Sequence, residues 1–169
     1  MPPVSHGTSE SRGADRRLLR FELHLPFAYE TIWPALTTPD GLRGWLAAAD
    51  VLERRLGGAV TLRWLNGGPT VSGQVTAWDV ERVVEYTLAG PGRIRFHLEP
   101  VGTDSTVIRF LNERGGGTDA DRLDHLAGWH SHFELLEAAL EGRPADWSAW
   151  SGARFAELRA SYAPPAAAA

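Results

Sequence analysis

A chain of 169 residues, 43% hydrophobic and 22% charged, is long enough for one globular domain with a core of its own. It contains no cysteine, and all 17 of its basic residues are arginine, which excludes disulfides, thiolate metal sites, cysteine nucleophiles and lysine Schiff bases. The net charge of −4 argues against a general nucleic-acid binder, and no stretch reads as a signal peptide or membrane span, so a cytoplasmic protein without membrane insertion is expected.

Residues 1–16 are rich in Pro, Ser and Gly, and are expected to be a disordered tail. The domain is expected over 17–142. In LLRFELHLP, Leu19, Phe21, Leu23 and Leu25 alternate with Arg20, Glu22 and His24, the period of a half-buried strand. FAYETIWPALTTPDGLRGWL reads as two short helices: Pro34 bends the first, and Pro39-Asp40 starts the second. From Val51 to Glu113 the pattern turns to strands separated by glycine turns, beginning with a hairpin of VLERRL and AVTLRW around Gly57-Gly58. In RIRFHLEPV, Ile94, Phe96 and Leu98 face away from Arg93, Arg95 and His97, and in STVIRFLNE Ile108 and Phe110 face away from Arg109.

Thr118–Gly142 is the longest element. Thr118 and Asp119 can cap its amides, and Asp119 and Asp121 suit the positive end of the helix dipole. Leu126, Trp129, Phe133, Leu136 and Leu140 recur three and four residues apart and form one apolar face. The order of strand, two helices, strands and long helix predicts an α+β fold, in which a sheet of about seven antiparallel strands offers that face its surface. Residues 143–162 form an extension whose Trp147, Trp150, Phe155, Leu158 and Tyr162 pack back on the body, as a strap or as the interface of a homodimer. Residues 163–169 are expected to be disordered.

FAYETIWPALTTPDGLRGWL resembles the opening of SRPBCC proteins, the START-like or birch-pollen-allergen-like superfamily. DVLERRLGGAVTL, SGQVTAWDVERVVEYTL and GWHSHFELLEAALEG are similar to pieces of the branch named after the activator of the heat-shock-protein-ninety ATPase. Val80 and Leu88 depart from that pattern, where proline and tryptophan are usual. The resemblance implies a helix-grip fold, a curved sheet wrapped around the long helix, with an internal cavity for a small hydrophobic or aromatic molecule. The strands would line it with Leu62 and Trp64, Val75 and Tyr86, Phe96 and Leu98, and Ile108 and Phe110. Trp129, Phe133 and Leu136 of the long helix would close it, with Trp45 near the mouth. Each of these residues is equally at home in an ordinary core.

Little in the chain speaks for chemistry. His130 and Glu134 lie one turn apart, but His130 and His132 point about 200° apart on a helical wheel, and no HExxH pattern is present. We therefore expect no metal site, and place His125, His130 and His132 on solvated flanks of the helix. His24 and His97 belong to the outer face of the sheet. No GxSxG elbow or phosphate loop occurs. No cofactor and no catalytic residue is assigned. A carrier, sensor or sequestering protein for a hydrophobic ligand is the leading expectation. An aromatase/cyclase-like enzyme, with Tyr86, Glu99 or Asn112 as the polar residue in the cavity, comes second. An interaction protein like the chaperone ATPase activators comes third.

Overall fold

The alternation in LLRFELHLP sets the first long strand of the computed structural model, which describes residues 3–164. β2 (Arg16–Leu25) buries Leu19, Phe21, Leu23 and Leu25 and exposes Arg20, Glu22 and His24. It is preceded by a strand the sequence does not announce, β1 (Thr8–Ser11), paired antiparallel with it from Thr8↔Arg20 to Ser11↔Arg17. The expectation of a disordered tail through residue 16 is corrected by this pairing. Its cause is tertiary: Val4 is buried, and the Gly7 N–H donates to the Tyr162 hydroxyl at 2.8 Å. Of the tails expected to be disordered, residues 1–2 and 165–169 lie outside the described residues.

Two short helices follow, α1 (Tyr29–Thr37) and α2 (Pro39–Arg43). Thr38 closes one and opens the other: its hydroxyl donates to the Pro34 carbonyl at 2.8 Å and accepts from Gly41 N–H at 3.0 Å. β3 (Ala47–Leu52) starts four residues before the expected Val51, and Glu53–Leu56 belong to the turn instead. Ala47–Ala49 carry no strand signal of their own; pairing with β4 (Ala59–Trp64) extends them. The meander continues through β5 (Thr70–Asp79), β6 (Val83–Leu88), β7 (Gly92–Val101) and β8 (Ser105–Gly115). The eight strands form one antiparallel sheet in the order β1-β2-β8-β7-β6-β5-β4-β3, the additional strand beyond the expected seven being β1.

α3 (Asp119–Leu140) lies across the inner face of this sheet, as a helix-grip fold requires. A capping box starts it, with Asp121 N–H donating to Thr118 Oγ1 at 3.1 Å and Thr118 N–H to Asp121 Oδ2 at 2.9 Å. Gly142, at φ 87°, supplies the left-handed residue past its end. α4 (Ala153–Tyr162) packs on the far side of α3, with Leu158 buried and Arg154 paired to Glu134 at 2.6 Å. The long helix is thus covered on two sides, by the sheet and by the extension. The outer face of the sheet is a lattice of ion pairs, among them Arg109–Glu99 at 3.0 Å and Arg93–Glu113 at 2.8 Å. His24 and His97 are exposed there, as expected.

Candidate functional site

The side chains expected to wall a cavity pack mainly against one another. Trp45 stacks on Phe133 at a centroid distance of 6.1 Å, and Phe110 meets Trp129 at 4.6 Å, Phe133 at 4.9 Å and Phe96 at 5.1 Å. Leu62, Val75, Leu98, Ile108 and Leu136 are buried in the same cluster. Trp45 is fully buried in this cluster and its indole N–H donates to the Ala35 carbonyl at 2.8 Å, so it sits in the core and not at a mouth. Tyr86 is also committed: its hydroxyl donates to the Leu36 carbonyl at 2.7 Å, and burial raises its pKa. The middle of the grip is filled.

Space opens instead at one end, between the first half of α3, the β4–β5 loop, the β6–β7 turn and the end of β8. Here a cavity of about 190 Å³ is bounded on its apolar side by Trp64, Pro69, Pro91 and Trp129. Trp64 and Trp129 are the two residues of the expected wall that reach it. Its floor is Gly128, in mid-helix, where an added Cβ would find no heavy atom within 4 Å. A glycine inside a helix costs about 1 kcal/mol relative to alanine, and here it leaves open volume. Trp129 is held in place by Asn112, whose Oδ1 accepts from the indole N–H at 3.1 Å. The amide of Asn112 donates to the Pro91 carbonyl at 2.8 Å and the Arg93 carbonyl at 3.0 Å. Asn112 thus ties helix, strand and turn together, and its polar capacity goes to structure. Glu99, the remaining polar candidate, is exposed on the opposite face.

The polar side of the cavity carries Asn66, Arg114, Asp124, His125 and His132. Two of the histidines sit elsewhere than expected. His130 and His132 are 2% and 5% exposed, where solvated flanks were expected, because the second side of α3 is covered by the N-terminal arm, α4 and the α2–β3 connection. His132 Nδ1 lies 2.8 Å from the Trp45 carbonyl, an acceptor, so this nitrogen carries the proton and donates. Its Nε2 is left as an acceptor toward the Asn66 amide at 3.4 Å, while Asn66 Oδ1 accepts from Gly68 N–H at 3.2 Å. Burial lowers the pKa of His132 to about 4. His125 is half-buried, and burial together with the charge of Arg114 brings it to about 4 as well. Its Nδ1 is buried without a hydrogen-bond partner. His130 points the other way, with Nδ1 2.7 Å from the Tyr162 hydroxyl.

At neutral pH the cavity is therefore bordered by two uncharged imidazoles, one arginine, the Asp124 carboxylate, the Asn66 amide and two indoles. Among the described residues no group of His, Cys, Asp and Glu could hold a metal ion. A larger depression of about 400 Å³ between α1, α2 and the end of α3 is walled by Thr31, Pro34, Ala139 and Pro144, with Asp40 as its ionisable group.

The family model described as Activator of Hsp90 ATPase homolog 1-like protein matches residues 26–141. The chain belongs to that family. It shares the START-like, SRPBCC architecture with known structures. The Aha1 dimer from Colwellia psychrerythraea is 25% identical, with a TM-score of 0.62 over 73% of this chain and 96% of that one. A conserved protein of unknown function from Enterococcus faecalis is 20% identical, with a TM-score of 0.70 over 92% of this chain and 87% of that one. CalU16 from Micromonospora echinospora is 15% identical, with a TM-score of 0.69 over 92% and 94%. The last two likenesses concern the fold. No curated protein matches the chain. The Activator of Hsp90 ATPase homolog 1-like match ends at residue 141, so α4 lies beyond it.

Proposed function

We propose that the protein binds a small, flat, largely apolar molecule in the cavity at the end of the grip, as a carrier, sensor or sequestering protein. The observation that carries this reading is the open volume of about 190 Å³ over Gly128, flanked by Trp64 and Trp129. A dry protein cavity of roughly 150 Å³ holds benzene, so this one suits one or two aromatic rings. Concave, mostly apolar sites with a few polar groups are the usual form of small-molecule sites. The test is titration of the tryptophan fluorescence with naphthalene-type probes, alongside native mass spectrometry of freshly purified protein. Binding that disappears in Gly128→Leu supports the reading; no probe response, or equal response in that variant, overturns it.

The second reading is a cyclase-like enzyme, favoured by the two imidazoles on the cavity wall. Their low basicity makes them weak general bases at neutral pH, which favours binding over catalysis. The third, an activator of a chaperone ATPase, follows the family's name and needs an outer surface in place of a cavity. Gly128→Leu would leave that activity intact. The Colwellia relative is a dimer, and light scattering decides whether this chain is one too.

A further inference from the structure

We infer that the molecule held in this cavity is an aromatic carboxylic acid whose carboxylate is bound by Arg114, an inference that rests on the cavity reading above. Along β8, Ile108, Phe110 and Asn112 are buried on the inner face, and the period of two puts Arg114 on that same face. An arginine on the concave side of the grip is out of keeping with its neighbours. The arginines of the outer face meet carboxylates: Arg93 and Arg95 reach Glu85, and Arg109 reaches Glu99. Arg114 makes no hydrogen bond or ion pair among the described residues, although it is half-buried and borders the cavity.

The acids nearby are already engaged. Asp121 closes the capping box with Thr118, and Asp124 accepts from Arg159 at 2.6 Å. Glu113 is paired with Arg93 across the sheet. A half-buried guanidinium without a partner is left short of hydrogen bonds, and its planar fork matches a carboxylate in two parallel ones. Beside it Trp64 and Trp129 border the same space, and Gly128 leaves room for a ring over the helix. Asn66 and His132, paired with each other at 3.4 Å, complete the lining. One arginine suits one negative charge, so a monocarboxylate fits better than a phosphate ester.

The test compares 2-naphthoate with 2-naphthamide, which share shape and differ in charge, by calorimetry and tryptophan fluorescence at low salt. The carboxylate is expected to bind the unmodified protein at least ~10-fold tighter than the amide, as charge-assisted hydrogen bonds allow. Raising the ionic strength should shrink that ratio, since the site is open to solvent. In Arg114→Met the ratio should fall to about one, with amide affinity changed less than about twofold. Arg114→Lys should keep part of the preference, because the charge stays and the fork goes. Thermal unfolding confirms that each variant is folded, and the salt dependence reads the same contact in the unmodified protein. Equal binding of the two probes, or a preference that survives in Arg114→Met, overturns the carboxylate inference and leaves the cavity reading standing. If neither probe binds the unmodified protein, both fall together.

Discussion

Replacing His132 by asparagine isolates the energetic cost of keeping an imidazole neutral in the core. Asparagine can still donate to the Trp45 carbonyl, as His132 Nδ1 does at 2.8 Å, but it does not titrate. In the folded protein burial holds His132 at about 4, against an ordinary value near 6.5 in the unfolded chain. Above about pH 6.5 both states are neutral and the residue contributes nothing to pH dependence. As pH falls from about 6.5 toward 4, the unfolded chain takes up a proton that the folded one refuses, and stability drops. At about 1.4 kcal/mol per pH unit, the loss between pH 7 and 5 comes to about 2 kcal/mol. His125 and His130 are lowered too and act with the same sign, while Glu137, raised by burial and by Glu141 and Glu134 to about 7, acts with the opposite one. Only the difference between parent and variant therefore reports on His132. Urea unfolding of both at pH 7, 6 and 5 gives that difference. His132→Asn should be less stable by about 1 kcal/mol at pH 7, through lost packing, and should close that gap or overtake the parent at pH 5. Parallel stability–pH curves would refute the reasoning.

Other changes probe the arm, the cavity floor and the polar tie. Gly128→Ala should raise stability by about 1 kcal/mol in thermal unfolding, because its Cβ meets open space and a helical glycine is relieved. Tyr162→Phe removes the acceptor of Gly7 N–H and the partner of His130 Nδ1, and should cost about 1–2 kcal/mol with faster hydrogen exchange in β1. Gly7→Ala would place a Cβ 2.4 Å from the Phe21 ring, and should detach the arm at a cost of about 1–3 kcal/mol, read by proteolysis near residue 7. Asn112→Leu strands the Trp129 indole N–H and two carbonyls, and should cost about 3 kcal/mol or more with a shift in tryptophan emission.

What was legible in the sequence was what repeats locally. Leu19 to Leu25, Ile94 to Leu98 and the apolar face of α3 each announce their element through a period, and the motif around Phe27–Leu46 ties them to a known architecture. β1 was illegible because its order comes from Phe21 and Tyr162, distant in the chain. The burial of His130 and His132 was missed for a related reason: a helix covered on two sides has no solvated flank where a wheel would draw one. Of the residues expected to line the cavity, most meet one another in the core, and Trp64 and Trp129 are the ones that reach the space over Gly128. Arg114 could have been found. It continues the alternation of Ile108, Phe110 and Asn112, a charged residue on an apolar register.

β2 lies between β1 and β8, and about half the chain separates it from β8. The strands from β3 to β8 can zip up by successive hairpins as they are made, but β2 has to wait, with Phe21, Leu23 and Leu25 uncovered, until the last of them arrives. During synthesis this strand is the chain's exposed edge, flanked by Arg20, Glu22 and His24, charges and an imidazole that discourage pairing with a stranger. In the finished sheet Glu22 pairs with Arg109 of β8 and Arg20 with Glu10, so the charges that discourage a stranger end as members of the outer ion-pair lattice.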